Sequence, residues 1–201
     1  TPADLTLLLQ KGTNFGGIVG LPANAKVTAL GFPVANVASL GLFQATVSGT
    51  GISVVNNRLL FKDTGTAIAP ILRTGQDIAA LGNARIKTAH EVLQSSIAIV
   101  IPYTLTATTS STPTTSAAND SGILALDASG TVINSVFRED ATAIDGGGKF
   151  GQFRPTAGIG SVATLFAIAK FIPTGSTPRD AFFSPLGRAN LKQGDAAPGL
   201  G

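Results

Sequence analysis

Between Asp120 and Phe153 the chain reads DSGILALDASGTVINSVFREDATAIDGGGKFGQF. Apolar runs at Ile123–Leu126 and Ile133–Phe137 flank a turn at Gly130-Thr131. A glycine-rich loop then leads to a third run at Phe150–Phe153. This is the pattern of strand, tight turn, strand, loop and strand. The same plan can be laid over the chain before and after it. Tandem repetition of one supersecondary block restricts the fold more than any composition does, because each copy must hide its apolar face against a neighbour.

Four landmarks carry the repeat. The first closes each hairpin: Leu9-Gln10-Lys11-Gly12, Leu72-Arg73-Thr74-Gly75, Phe137-Arg138-Glu139-Asp140 and Leu191-Lys192-Gln193-Gly194, at intervals of 63, 65 and 54 residues. The second is the hairpin itself. Arg58–Lys62 leads to Gly65, and Ile123–Asp127 leads to Gly130, each glycine seven residues before its landmark. Glycine suits the positive φ of such turns. The last copy, Ala181–Ser184, has Gly187 only four residues before Leu191, and this shortened hairpin is expected to explain part of the 54-residue interval.

The third landmark is an apolar strand: Ser39–Val47, Ser96–Leu105 and Ser161–Ile168. Its interleaved small and large residues predict burial on both faces. Pro102 predicts a bulge or an early end in the second copy. The fourth landmark is the strand at Lys26–Leu30, Arg85–Thr88 and Phe150–Phe153. The expected fold is therefore all-β. It comprises four-stranded units of about 60 residues resembling propeller blades, with an irregular β-solenoid or a sandwich as the alternative. Approximate units are 1–63, 64–128 and 129–187, with 188–201 starting another.

Composition agrees with frequent short strands. Glycine occurs 24 times and proline 11 times, and hydrophobic residues make up 44%. Charged residues are 12%, roughly half the ordinary share of about 25%. The formal net charge is +3, but Lys11, Lys26, Arg58, Arg85 and Lys149 are scattered singly, which argues against a nucleic-acid stripe. Cysteine is absent, which removes disulfides, thiolate metal sites and thiol chemistry. Ile97–Ile101 stops at Pro102, and Ser161–Phe171 contains Lys170, so neither reaches the ~18 residues of a spanning helix. The start at Thr1-Pro2 is expected to be the end of a processed or trimmed piece.

The chain resembles the bacterial choice-of-anchor family of tandem repeats, characterised by an NxxGxxAF motif. Asn36–Val47 fits the first motif, with Ser39 where glycine is usual. Gly49-Thr50-Gly51-Ile52 and Asn56–Leu59 fit the loop and hairpin start. Gly194-Asp195-Ala196-Ala197-Pro198-Gly199 fits the closing signature, with Gly75-Gln76-Asp77 and Asp140–Gly148 as degenerate versions. The resemblance implies propeller-like repeats in a secreted or surface-anchored bacterial protein, and it brings no catalytic residues.

Candidate chemistry is sparse. His90 is the only histidine and, beside Glu91 at the start of the apolar strand, is expected to point away from it. Gly146–Lys149 lacks the preceding glycine and following Ser/Thr of a phosphate loop. Asp63, Asp127, Asp180 and Asp195 read as turn stabilisers. Asn119-Asp120-Ser121 is a formal glycosylation sequon. The absence of tryptophan and a single tyrosine weigh against a stacking lectin, and most phenylalanines are expected in the core.

Polar loops 48–57, 106–119 and 173–179 follow the apolar strand in each copy and are expected on one face. The middle loop is low in complexity, is expected to be mobile, and offers Thr109, Ser110, Thr112, Thr114 and Thr115 as candidate binding residues. The expected function is non-enzymatic, with no cofactor and no metal. It is that of an extracellular or cell-surface structural protein whose copies join through sheet edges into a homo-oligomer or polymer. The alternative is a surface module that binds a glycan or a protein through the loops.

Overall fold

The computed structural model describes residues 9–15, 20–31, 33–35, 41–63, 65, 67–94, 99–126, 132–143, 147–159, 165–184 and 188–196. Several sequence expectations lie outside them. These are the motif at 36–40, Ile97 and Ala98, the turn at 127–131, Gly146, the strand start at 161–164, Gly187 and the signature end at 197–199.

The fold is all-β. The described residues hold three antiparallel sheets, none closed into a barrel, and no α-helix. Two compact units divide the chain, the first formed by 1–35 and 39–74, the second by 36–38 and 75–201.

The first unit contains one sheet. Its strands are β1 (Lys26–Leu30), β2 (Val34–Ala35), β3 (Gly41–Ser48), β4 (Arg58–Asp63) and β5 (Ile68–Arg73), in the order β1-β3-β4-β5 with β2 beside β3. Alternation places Val27, Ala45, Val47, Leu59 and Phe61 on one buried face. Phe15 caps that face, stacked on Phe61 at 4.8 Å between ring centroids, while Phe43 stacks on Phe61 from the neighbouring strand at 5.4 Å. Leu9 and Leu21 close over the same cluster.

The second unit contains two sheets. One has β6 (Asp77–Ile78), β7 (Ala84–Ala89), β8 (Leu93–Gln94), β9 (Ile99–Thr106), β10 (Ser121–Leu126) and β11 (Val132–Arg138), ordered β11-β10-β9-β7-β6 with β8 beside β9. A single 3₁₀ turn, Ala79–Leu81, separates β6 from β7. The other sheet runs β12 (Gly148–Ile159), β13 (Leu165–Pro173), β14 (Arg179–Ser184) and β15 (Arg188–Lys192) in sequence order. These two sheets pack face to face. Val100, Ile123 and Phe137 from the first meet Phe150, Phe153, Ala167, Ala169, Phe171, Ala181 and Phe183 from the second. The alanines leave room for the aromatic rings between the layers.

All three sheets share one scheme of four longer strands: β1, β7 and β12 first, then β3, β9 and β13, then β4, β10 and β14, then β5, β11 and β15. Backbone bonds repeat with it. The landmark's third residue donates its N–H to the start of the preceding strand: Thr74 to Arg58 O (2.9 Å), Glu139 to Ser121 O (2.9 Å) and Gln193 to Asp180 O (2.8 Å). The fourth residue is left-handed in every copy, with φ of +91° at Gly12, +77° at Gly75, +68° at Asp140 and +92° at Gly194. Its N–H then reaches the strand that follows: Gly12 to Val27 O, Gly75 to Ile86 O and Asp140 to Phe150 O. The landmark is thus a corner with a fixed backbone shape, which is why glycine recurs there. The sheets run from 26 to 73, 77 to 138 and 148 to 192, so the approximate unit limits at 63, 128 and 187 fall at or just after the third longer strand of each sheet and not between sheets.

Three expectations are corrected. Pro102 neither ends nor bulges its strand, since β9 and β10 pair without a break from Ile99↔Leu126 to Thr104↔Ser121. The Pro102 carbonyl accepts from the His90 N–H (2.9 Å), so its donor-less nitrogen faces the break between β7 and β8, where no ladder bond is needed. His90 and Glu91 lie in that break, not at the start of β9. Finally, the described side chains of β13 are buried on one face only. Ala167, Ala169 and Phe171 point inward and Ile168, Lys170 and Ile172 outward, whereas Ile99–Tyr103 of β9 is buried on both faces. The short third interval also has a plainer cause: β13 and β14 are joined by 174–178 alone, against 107–120 between β9 and β10.

Candidate functional site

The loop between β9 and β10 is the most elaborate polar feature of the second unit, and it is tied down. Thr108 and Thr115 pair across its base through two backbone hydrogen bonds. Inside it, Ser111 and Thr115 are buried, 4% and 3% exposed, with hydroxyls 2.8 Å apart. The Ser111 Oγ also accepts from the Thr115 N–H and donates to the Pro113 carbonyl. The Thr112 N–H donates to the Gly82 carbonyl. A Cβ on Gly82 would lie only 1.7 Å from the Thr112 carbonyl oxygen, so the backbone approach requires glycine.

The loop ends in a Ser116-Ala117-Ala118-Asn119 turn. The Ser116 N–H donates to Asn119 Oδ1 (2.8 Å), the Asn119 N–H to the Ser116 carbonyl (3.1 Å), and Asn119 Nδ2 to the Thr114 carbonyl (2.9 Å). Asparagine favours such local bonding. Arg138, the second landmark residue, spans the result. Its guanidinium donates to the Asn119 carbonyl (3.3 Å), to the Leu81 carbonyl (3.4 Å) and to the Thr115 hydroxyl (3.3 Å).

The first unit repeats this arrangement. In Ser53-Val54-Val55-Asn56 the Ser53 N–H donates to Asn56 Oδ1 (2.7 Å), the Asn56 N–H to the Ser53 carbonyl (3.0 Å), and Asn56 Nδ2 to the Gly51 carbonyl (3.2 Å). Arg73 then donates to the Asn56 carbonyl (2.7 Å) and the Gly20 carbonyl (2.8 Å). In the third sheet Lys192 holds the landmark position, and its ammonium lies 4.6 Å above the Phe171 ring.

Of the five candidate residues, Thr109, Ser110, Thr112 and Thr114 are exposed, whereas Thr115 is buried and its hydroxyl engaged within the loop. Ser110 bonds to Thr108 through both its N–H and its hydroxyl. The loop has an internal polar core of bonded hydroxyls. The exposed hydroxyls make a neutral hydrogen-bonding surface, able to meet hydroxyl-rich or amide-rich ligands but not to transfer protons near neutral pH. The sequon is consumed: the Asn119 amide is bonded inside the loop, and Ser121 is 1% exposed.

Sequence reasoning missed Glu139. The carboxylate is buried beneath the loop's return strand and accepts from the Ser121 hydroxyl (2.8 Å), whose oxygen accepts in turn from the Phe153 N–H (2.9 Å). Burial pushes the Glu139 carboxyl above the usual carboxylate range, against the lowering effect of the Ser121 hydrogen bond. Four other acids have structural partners. Asp63 accepts from the Gly65 N–H and Asp195 from the Lys192 N–H, both as turn stabilisers. Asp180 instead pairs with Arg154 and Lys170 across strands, and Lys149 pairs with Asp140. Among the described residues no three acidic or histidine side chains converge as metal ligands would, and no helix is long and apolar enough to cross a membrane. Searches of family models, curated proteins and solved structures return no match to the chain.

Proposed function

We propose that this chain is a non-enzymatic structural protein of the bacterial cell exterior, built from blade-like β repeats of the choice-of-anchor type, whose copies join through strand edges. The observation that carries this reading is the repetition of one corner and one bonding scheme in three successive sheets. A repeat of this kind serves as a module for extension, since each copy presents the same backbone at the same place. Low charge and open edge strands favour association, and among the described residues β15 pairs with β14 alone. Sedimentation of the purified chain at micromolar concentration tests the reading. Rings, filaments or oligomers are expected, and a stable monomer throughout the range overturns it.

A second reading is favoured by the braced loop. The exposed hydroxyls of Thr109, Ser110, Thr112 and Thr114, held on a loop that Arg138 fixes in place, suit a surface module for a glycan or a protein. Replacement of 106–119 by a short Gly-Ser linker then abolishes binding to an immobilised glycan panel or cell-surface extract. Unchanged binding removes the idea.

A further inference from the structure

The outer face of the third sheet is apolar in an organised way. Phe182 lies directly opposite Ile168 on β13 and opposite Leu191 on β15, so the three side chains form one cross-strand row. Their exposures are 42% for Ile168, 38% for Phe182 and 44% for Leu191, and Ile172 on the same face is 39% exposed. These are four of the seven large apolar residues exposed among the described residues. Isolated exposed apolar residues need no explanation, but a contiguous row marks a contact surface.

The repeat shows what such a row meets. Phe137 and Leu191 share the first landmark position, and the row in the second sheet is Pro102, Ile123 and Phe137 in the same register. Ile123 and Phe137 are buried because the third sheet lies across them. The row at Ile168, Phe182 and Leu191 therefore occupies the position at which the second sheet receives the third.

We propose that the outer face of the third sheet docks against the same face of a second copy of this chain, related by a two-fold axis. The inner face of the third sheet is filled by the second sheet, and that of the first sheet by Phe15, Leu9 and Leu21. The inner faces of the first and third sheets, which would receive the row head-to-tail, are thus already occupied within each copy. Face-to-face closure lets the row cover itself, as an isologous interface does. The Arg154–Asp180–Lys170 cluster, one carboxylate between two cations, borders the row on the same face and becomes the polar rim.

This inference rests on the assembly reading but names a face in place of an edge. Sedimentation velocity of the full chain and of Phe182→Glu and Ile168→Lys across the micromolar range tests it, with thermal melts as a check on folding. Wild type is expected to dimerise, and each variant to melt as wild type does while weakening the dimer at least about tenfold. If wild type assembles and both folded variants assemble equally well, the face is not the contact and edge pairing stands. If wild type remains a monomer, both readings fall.

Discussion

Glu139 accepts a hydrogen bond from the Ser121 hydroxyl at 2.8 Å in a buried site between two sheets. The carboxyl titrates above its ordinary range because burial disfavours the charge. A raised folded value means that this group's contribution to stability is fully present below the ordinary glutamate range. It is lost as pH rises through the folded value. Glu139→Gln is therefore expected to be more stable than wild type at neutral pH and to flatten the stability profile from the ordinary glutamate range upward. Urea denaturation of both proteins across that window checks it. A variant less stable at neutral pH with an unchanged slope contradicts the assignment.

Arg138 and Arg73 should be worth more than surface arginines, because each ties two backbone segments to its own strand. Removing either by alanine is expected to cost about 1–2 kcal/mol. Lysine should not recover it, since one ammonium cannot span carbonyls that a planar guanidinium reaches together. Denaturant midpoints of the Ala and Lys variants decide this. Full rescue by lysine would show that only charge or packing matters.

The corner predicts a stabilising change. Asp140 is the only non-glycine among the four left-handed corner residues, with φ of +68°. Asp140→Gly loses an exposed ion pair to Lys149, worth at most a few tenths of a kcal/mol, and relieves strain of about 1 kcal/mol. A net gain of about 0.5 kcal/mol is expected by chemical denaturation. A loss would mean that the aspartate side chain itself stabilises the turn.

Within the loop, burial separates structural from available hydroxyls. Thr115→Val leaves Ser111 and Arg138 short of a partner and should cost about 1–3 kcal/mol. Thr109→Ala, at an exposed position, should stay within about 0.5 kcal/mol of wild type. Hydrogen exchange of the loop amides gives an independent reading: the first variant loosens them and the second does not.

Much of this architecture is written in short-range signals. The landmark quartets mark the corners because a left-handed residue favours glycine, and the strands follow from apolar runs between turn residues. The arginine brace was also readable, since Leu72-Arg73 and Phe137-Arg138 repeat, as do Ser53 to Asn56 and Ser116 to Asn119. Its meaning needed the fold, because Arg138 meets Leu81 from far along the chain. The one-sided burial of β13 is not legible in the sequence for a related reason. Its composition resembles that of β9, but whether a face is covered depends on the sheet beside it and not on the strand. The place of Pro102 inside an unbroken strand is not legible either, because the break that accommodates it lies on another strand.

The brace at Asn56 and Asn119 fastens the exit of each loop to the arginine of the landmark. The carbonyl at the exit of each loop is pinned by an arginine, so chain ahead of Gly51 in one loop and ahead of Ser111 in the other can differ while the returning strand keeps its alignment. The span between β3 and β4 differs in length and sequence from that between β9 and β10, yet both end on the same fastening. A scaffold with this property can diversify its outer surface by cassette exchange.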